Sequence, residues 1–218
     1  MRPARRKTLI WSYFTQLRSV SEGIVARENS WIGLFPDLGS FPIPMRGVPV
    51  AVLQNVLRAI RSETSIEISY QSLSRPDPVW RWIAPHAIGY DGFRWHVRAW
   101  CEIDNVFKDF LFSRIRDIRG THPAAVKSAE DVDWHSYVEM VIGPHPDFSD
   151  SQKAVIADDY GMVDGRILLT VRKALLYYAL KRFGLDMDPS TRRPADQQIV
   201  LLNRTELFPS SNIQTGPK

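Results

Sequence analysis

The residues between positions 68 and 116 hold the chemistry this chain could do. Arg94, His96, Arg98 and Trp100 alternate with Trp95, Val97 and Ala99. In an extended strand successive side chains point to opposite faces, so the basic residues share one face and the apolar ones the other. Lys108, Phe110, Phe112, Arg114 and Arg116 recur at the same spacing on a later run. If the two polar faces adjoin, cations from both strands converge beside aromatic rings, and Tyr70, Ser72 and Arg81 can join them. Arginine grips phosphate with a bidentate fork, and aromatic rings stack on bases. The candidate ligand-binding set is therefore Tyr70, Ser72, Arg81, His96, Arg98, Lys108 and Arg114, and it suits a nucleotide or short oligonucleotide. A competing reading is open. Residues 61–120 hold nine Arg plus Lys and eight acids, so Arg81, Arg98 and Arg114 could equally form an ion-pair network with Asp91, Asp104, Asp109 or Asp117.

Other chemistries find no foothold. The chain has no Gly-x-Ser-x-Gly elbow, no Gly-Lys-Ser/Thr phosphate loop and no Gly-x-Gly-x-x-Gly. His86, His96, His122, His135 and His145 lack tight ligand spacing, and one cysteine, Cys101, builds no usual structural zinc site. A non-enzyme without cofactor or metal is expected. A single cysteine also excludes an intrachain disulfide, and a reducing cytoplasm is the simplest compartment. No apolar run approaches the roughly 18 residues that cross a bilayer. The net charge is +4, and residues 1–20 carry five basic residues and no acid. Arg5, Arg6 and Lys7 are the candidate nucleic-acid contacts there, against the simpler reading of a solvated terminus.

The elements that would position these residues follow from periodicity. Residues 1–47 show no clean period, and 34–49 are crowded with Pro and Gly, so an arm and an irregular connection are expected. Val52, Leu53, Val56, Leu57 and Ile60 predict an amphipathic helix over 49–62. Strands are expected around 66–70, 80–90, 93–103 and 106–118. Asp91-Gly92 marks a hairpin of type I′, which needs positive φ at both central residues. Such a set makes a strongly bent small sheet or barrel, with Trp80, Trp82, Trp95 and Trp100 mostly in its core. Residues 122–145 read as a linker with a short helix at 131–137. Beyond it come a helix from Asp150 capped by Ser149, a strand at 167–171, a helix over 173–183 closed by Gly184, and a strand at 198–203.

Ile68-Ser69-Tyr70-Gln71-Ser72, Arg81 to His86, Phe93 to Ala99, Phe107 to Phe110 and Ser113-Arg114-Ile115, in that order, resemble a WYL domain. Trp95-His96-Val97 stands where the Trp-Tyr-Leu signature falls, with His for Tyr. His145-Pro146, Gln152, Asp159 to Met162 and Val171 to Tyr178 resemble the WYL C-terminal extension of repressors that control phage-defence operons such as BREX and CBASS. The resemblance spans about residues 48–204. It implies an α+β chain, with an Sm-like small barrel over 48–121, a linker over 122–145, a small α/β extension over 146–205 and a flexible tail over 206–218. It further implies a homodimeric, ligand-sensing part of a DNA-binding repressor, with a nucleotide-like effector. In that family a winged helix–turn–helix precedes the WYL domain. Residues 1–47 contain none that can be read, only an arm or a remnant of the winged region, so specific DNA binding needs residues beyond those recognised. The alternatives are a non-specific single-strand-binding module and a head-less, dominant-negative dimer partner.

Overall fold

The computed structural model describes residues 3–39 and 46–209. The chain divides into two units, Met1–Met45 and Arg46–Lys218. In the first, residues that show no clean period form a long helix, α1 (Pro3–Ser21). Its apolar residues are spread around the axis, which is why no stripe betrays it in the sequence. Leu17 and Ile32 are buried in this unit, and Tyr13 meets the edge of Trp31. The described part of the Pro/Gly-rich segment after it has no regular structure. The side chains of Arg5, Arg6 and Lys7 lie outside the described residues.

In the second unit Pro49 precedes α2 (Val50–Ser62), which buries Val52, Val56 and Ala59 and ends on left-handed Glu63. Five antiparallel strands follow: β1 (Thr64–Tyr70), β2 (Val79–Tyr90), β3 (Trp95–Cys101), β4 (Val106–Leu111) and β5 (Ile115–Pro123). They pair in the order β4-β3-β2-β1-β5. The run expected as one strand over 106–118 is broken by a 3₁₀ turn, Phe112–Arg114, that sends β5 back to β1. The sheet curls around a single core of Ile66, Ile68, Ile83, Val97, Phe110, Phe112 and Ile115 under α2. It is not a closed barrel, because β4 and β5 are the two ends of the pairing order. Bulges near Ile66, Tyr70 and Pro85 supply the bend.

Two expectations about this sheet are corrected. The β2–β3 hairpin is present, but among its residues only Gly92 has positive φ, so the turn is not type I′. The Asp91 carboxylate shapes it instead, accepting from the backbone N–H of Phe93 (2.9 Å) and Arg94 (2.7 Å). The four tryptophans are not core residues either. Trp95 is half exposed against Tyr90, Trp80 lies under the Arg119 guanidinium, and Trp82 covers His122 and Gly120. Branched aliphatics and phenylalanines fill the interior, where an indole N–H would need a partner.

The C-terminal part holds a second antiparallel sheet, β7-β6-β8. Its central strand β6 (Tyr137–Pro144) falls inside the span expected as linker. Pro144 and Pro146 point the sequence toward a loop, yet Met140 and Ile142 are buried at the centre of the second core. The short helix α3 (Val132–His135) precedes β6. Helix α4 (Asp150–Asp159) begins at the Ser149 cap with Gln152 closing a capping box. Strand β7 (Ile167–Arg172), helix α5 (Leu176–Phe183) capped by Gly184, strand β8 (Ile199–Leu201) and helix α6 (Arg204–Leu207) complete it. Among the described residues no helix is long and apolar enough to cross a membrane.

Candidate functional site

Register decides which of the expected ligand residues meet. On β3–β4, Arg98 pairs with Asp109 and His96 with Leu111, whereas Val97 pairs with Phe110 and Ala99 with Lys108. The two basic sets therefore lie on opposite faces of the sheet, and the convergence expected of them does not occur. A shift of one residue in the offset would have produced it.

The inner face carries Tyr70, Arg81 and Lys108. Arg81 pairs across the sheet with Ile68 and is 8% exposed. Its Nη1 lies 3.4 Å from Asp104 Oδ2, and its guanidinium stands 5.9 Å from the ring centroids of both Tyr70 and Phe110. The Lys108 ammonium donates to the same Asp104 oxygen at 2.8 Å, and the Cys101 thiol donates to it at 3.1 Å. The Lys108 and Cys101 hydrogen bonds hold the Asp104 carboxyl below the ordinary range, and burial pushes the Cys101 thiol up. The Tyr70 hydroxyl accepts from the Leu111 backbone N–H, which fixes the ring. Arg81 Nε is buried and has no hydrogen-bond partner among the described residues. At the rim, the Arg114 carbonyl accepts from the Gln71 N–H, which brings Arg114 beside Ser72. Ser72 itself meets Ser74 at 3.1 Å, and the Arg114 guanidinium pairs with no described acid.

His96 and Arg98 face the other way, toward the C-terminal part of the chain. Arg98 donates from Nε and Nη2 to both oxygens of Asp131, at 2.7 and 3.0 Å, and lies 3.5 Å from Asp109. The other Asp131 contact is His86 Nε2 at 2.9 Å, and Asp131 also caps α3 by accepting from the Trp134 N–H. Tyr178 of α5 donates to Asp109 at 3.0 Å. The His96 ring lies against Tyr178 and donates to Asp91 at 2.9 Å. This is a nearly closed ionic seam joining β3 and β4 to α3 and α5. Asp131 and Tyr178 escaped the sequence reading because one lies in the expected linker and the other among apolar helix residues. Among the described residues no His/Cys/Asp/Glu group could hold a metal ion.

The seam has a defined acid response. Burial acts to raise the Asp91 carboxyl, but hydrogen bonds from His96, Phe93 and Arg94 outweigh it and hold the group at about 2. Burial of Asp131 is outweighed in the same way by His86 and Arg98, so it too lies well below the ordinary range. Asp109 goes the opposite way, because burial exceeds the pull of Arg98 and Tyr178. A depressed carboxyl contributes stability that is complete above the unfolded value near ~3.9 and lost as pH falls through the folded value. A raised one favours folding below the unfolded value and loses that contribution as pH rises through the folded one. The expected outcome is a loss of stability between pH 4 and about 2 for Asp91. In urea titrations Asp91→Asn should flatten that fall, whereas Asp109→Asn should act only above pH 4, where it removes the gain in stability that Asp109 gives as pH falls toward its unfolded value; an unchanged acid slope in Asp91→Asn would contradict the assignment.

Comparison with known proteins places these features. Residues 51–119 match the WYL domain, and residues 137–207 match the BrxR transcriptional regulator, C-terminal dimerization domain. The DNA-binding transcriptional repressor CapW of Stenotrophomonas maltophilia is 35% identical over 207 residues, covering 94% of this chain and 69% of that protein. The protein of the same name from Escherichia coli (strain KTE188) is 32% identical over 196 residues, covering 90% and 66%. The chain thus spans about two thirds of the length of these relatives. An alignment of 207 residues extends beyond both matched domains and into the N-terminal segment. Among solved structures, the proteasome accessory factor B/C (PafBC) of Arthrobacter aurescens aligns over 74% of this chain and 26% of that one at 18% identity, with a TM-score of 0.33.

Proposed function

Because the chain belongs to the CapW family of WYL-domain transcriptional repressors, with a BrxR-type C-terminal dimerization domain, we propose that it forms the effector-sensing and dimerizing part of such a repressor. Its effector is a nucleotide or short oligonucleotide, bound on the inner face of the first sheet. Arg81 grips a phosphate there, Lys108 adds charge, Tyr70 and Phe110 form the wall, and Arg114 and Ser72 form the rim. The protein works in the cytoplasm as a homodimer joined through residues 137–207 and controls a defence operon by binding its operator DNA. The five-stranded order β4-β3-β2-β1-β5 behind a leading helix supports reading the first sheet as an open variant of the Sm-like arrangement. His96 and Arg98 do not touch the effector. They tie the sensing sheet to the C-terminal part, so that a change at β3–β4 reaches the dimerization region.

The observation that carries this reading is the unpartnered Arg81 Nε. A buried N–H without a partner is costly, and structures seldom keep one unless something else satisfies it. An effector oxygen accepting from Nε would do so. The test measures thermal shifts of the full chain with nucleotides and short oligonucleotides. The expected result is a stabilising shift for the effector that weakens by roughly 10- to 100-fold in apparent affinity in Arg81→Gln, since a charge-assisted bond contributes about 1.5–3 kcal/mol. A response that Arg81→Gln leaves intact, or steeply salt-dependent retention of any single strand regardless of Arg81, would overturn it in favour of a non-specific nucleic-acid binder.

A further inference from the structure

A second unsatisfied group lies far along the chain, in the part matching the dimerization domain. Gln197 is 5% exposed, and its buried Oε1 has no partner among the described residues. It lines an open cleft of about 490 Å³ at the C-terminal end of α5. Lys181 and Arg182 from the last turn of α5 and Arg192 from the following segment share that cleft, with the exposed rings of Tyr160 and Phe183. Arg182 stacks on Phe93 at 4.0 Å and has no ion pair among the described residues, and neither has Arg192. Lys181 pairs with Asp186. The one carboxylate in the cleft wall, Asp196, is already taken by Arg193 at 2.8 Å.

The carbonyl end of α5 favours nearby cations, so Lys181 and Arg182 in its last turn need no ligand to explain them. That account stops short of Gln197. Its amide oxygen is buried and meets no partner among the described residues, in a wall shared with two guanidinia that have no ion pair there and two aromatic rings. A primary amide can donate through its nitrogen and accept through its oxygen, which is what a nucleobase edge requires. Guanidinia suit a phosphate, and exposed aromatic rings suit a base. The volume falls within the range of small-molecule sites, roughly 300–1,000 Å³.

We propose that this cleft is a binding site for a mononucleotide, separate from the inner-face site on the first sheet. The phosphate lies between Arg192, Arg182 and Lys181, the base stacks on Tyr160 or Phe183, and the Gln197 amide hydrogen-bonds the base edge.

The test is calorimetric titration of the full chain carrying Arg81→Gln, which removes the inner-face contact, with AMP, adenosine and inorganic phosphate. AMP is expected to bind, with adenosine and phosphate each at least tenfold weaker. Adding Arg192→Gln, at an exposed position, should weaken AMP by tenfold or more without changing the melting temperature of the unliganded protein. Gln197→Leu should reduce AMP binding but leave phosphate binding as it is. No AMP binding in Arg81→Gln, AMP binding that survives Arg192→Gln, or phosphate binding as tightly as AMP would each overturn the proposal. None of these outcomes bears on the effector shift that Arg81 is expected to control in the otherwise unaltered chain.

Discussion

Asp131→Ala is expected to destabilise the protein by about 3–5 kcal/mol, the range for removing one partner of a buried ion pair. Asp131 is 1% exposed and takes two hydrogen bonds from Arg98 and one from His86. Without it, Arg98 stays buried with only Asp109, at 3.5 Å, to oppose its charge. The α3 cap supplied to the Trp134 N–H is lost as well, which adds about 1 kcal/mol. Urea unfolding of the single variant, of Arg98→Met and of the double variant Asp131→Ala/Arg98→Met separates the causes. The double variant should lose less than the sum of the singles, because it buries no lone charge. Additive losses would show that Asp131 and Arg98 do not act as a pair.

Phe110→Ala is the second large effect, expected at about 3–5 kcal/mol, as for other buried Phe truncations. Phe110 is 2% exposed and meets the Tyr70 ring edge-on at 5.1 Å. It also stands beneath the Arg81 guanidinium. The cavity would free both residues, so effector binding should weaken even at temperatures where the variant remains folded. Phe110→Leu keeps most of the volume and should recover most of the stability but not the aromatic contacts. Thermal melts with and without effector check both variants. Full effector affinity in a folded Phe110→Ala would contradict the inner-face site.

The parts of the fold that sequence made legible are those with strong local signals. Helix α2, read from Val52, Leu53, Val56, Leu57 and Ile60, forms with Val52 and Val56 buried and Leu53 and Leu57 exposed; it, the Ser149 cap and the Gly184 helix end each follow from short-range physics. What stayed hidden depended on distant partners. The offset between β3 and β4 is a one-residue choice that no local pattern fixes, and it moved Lys108 to the inner face and Asp109 beneath Arg98. Strand β6 stayed hidden because Val141 puts an apolar residue on the face opposite Met140 and Ile142, blurring the alternation, and because Pro144 and Pro146 at its end suggest a loop. Helix α1 lacks an apolar stripe. For the site, residue types were legible and pairing was not. The competing reading, an ion-pair network, describes Arg98 with Asp131 and Asp109 and also Arg81 with Asp104; the ligand reading of Arg81 is the proposal that its unmet Nε supports.

The two unsatisfied buried side-chain polar atoms among the described residues, Arg81 Nε and Gln197 Oε1, lie in different modules. The seam through Arg98, Asp131, Asp109 and Tyr178 runs between those modules. Under the proposed effector site it gives a physical route from the first sheet to the part matching the dimerization domain: Asp109 and Phe110 are adjacent on β4 and point to opposite faces.

The most direct measurement is the side-chain Nε–H resonance of Arg81 in the full-length chain, followed by NMR as effector is added. Binding on the inner face predicts that this proton shifts strongly and exchanges more slowly with water at saturation, because it gains an acceptor for the first time. An Arg81 Nε–H signal that stays unmoved while the protein is demonstrably saturated would contradict the assignment of the effector site.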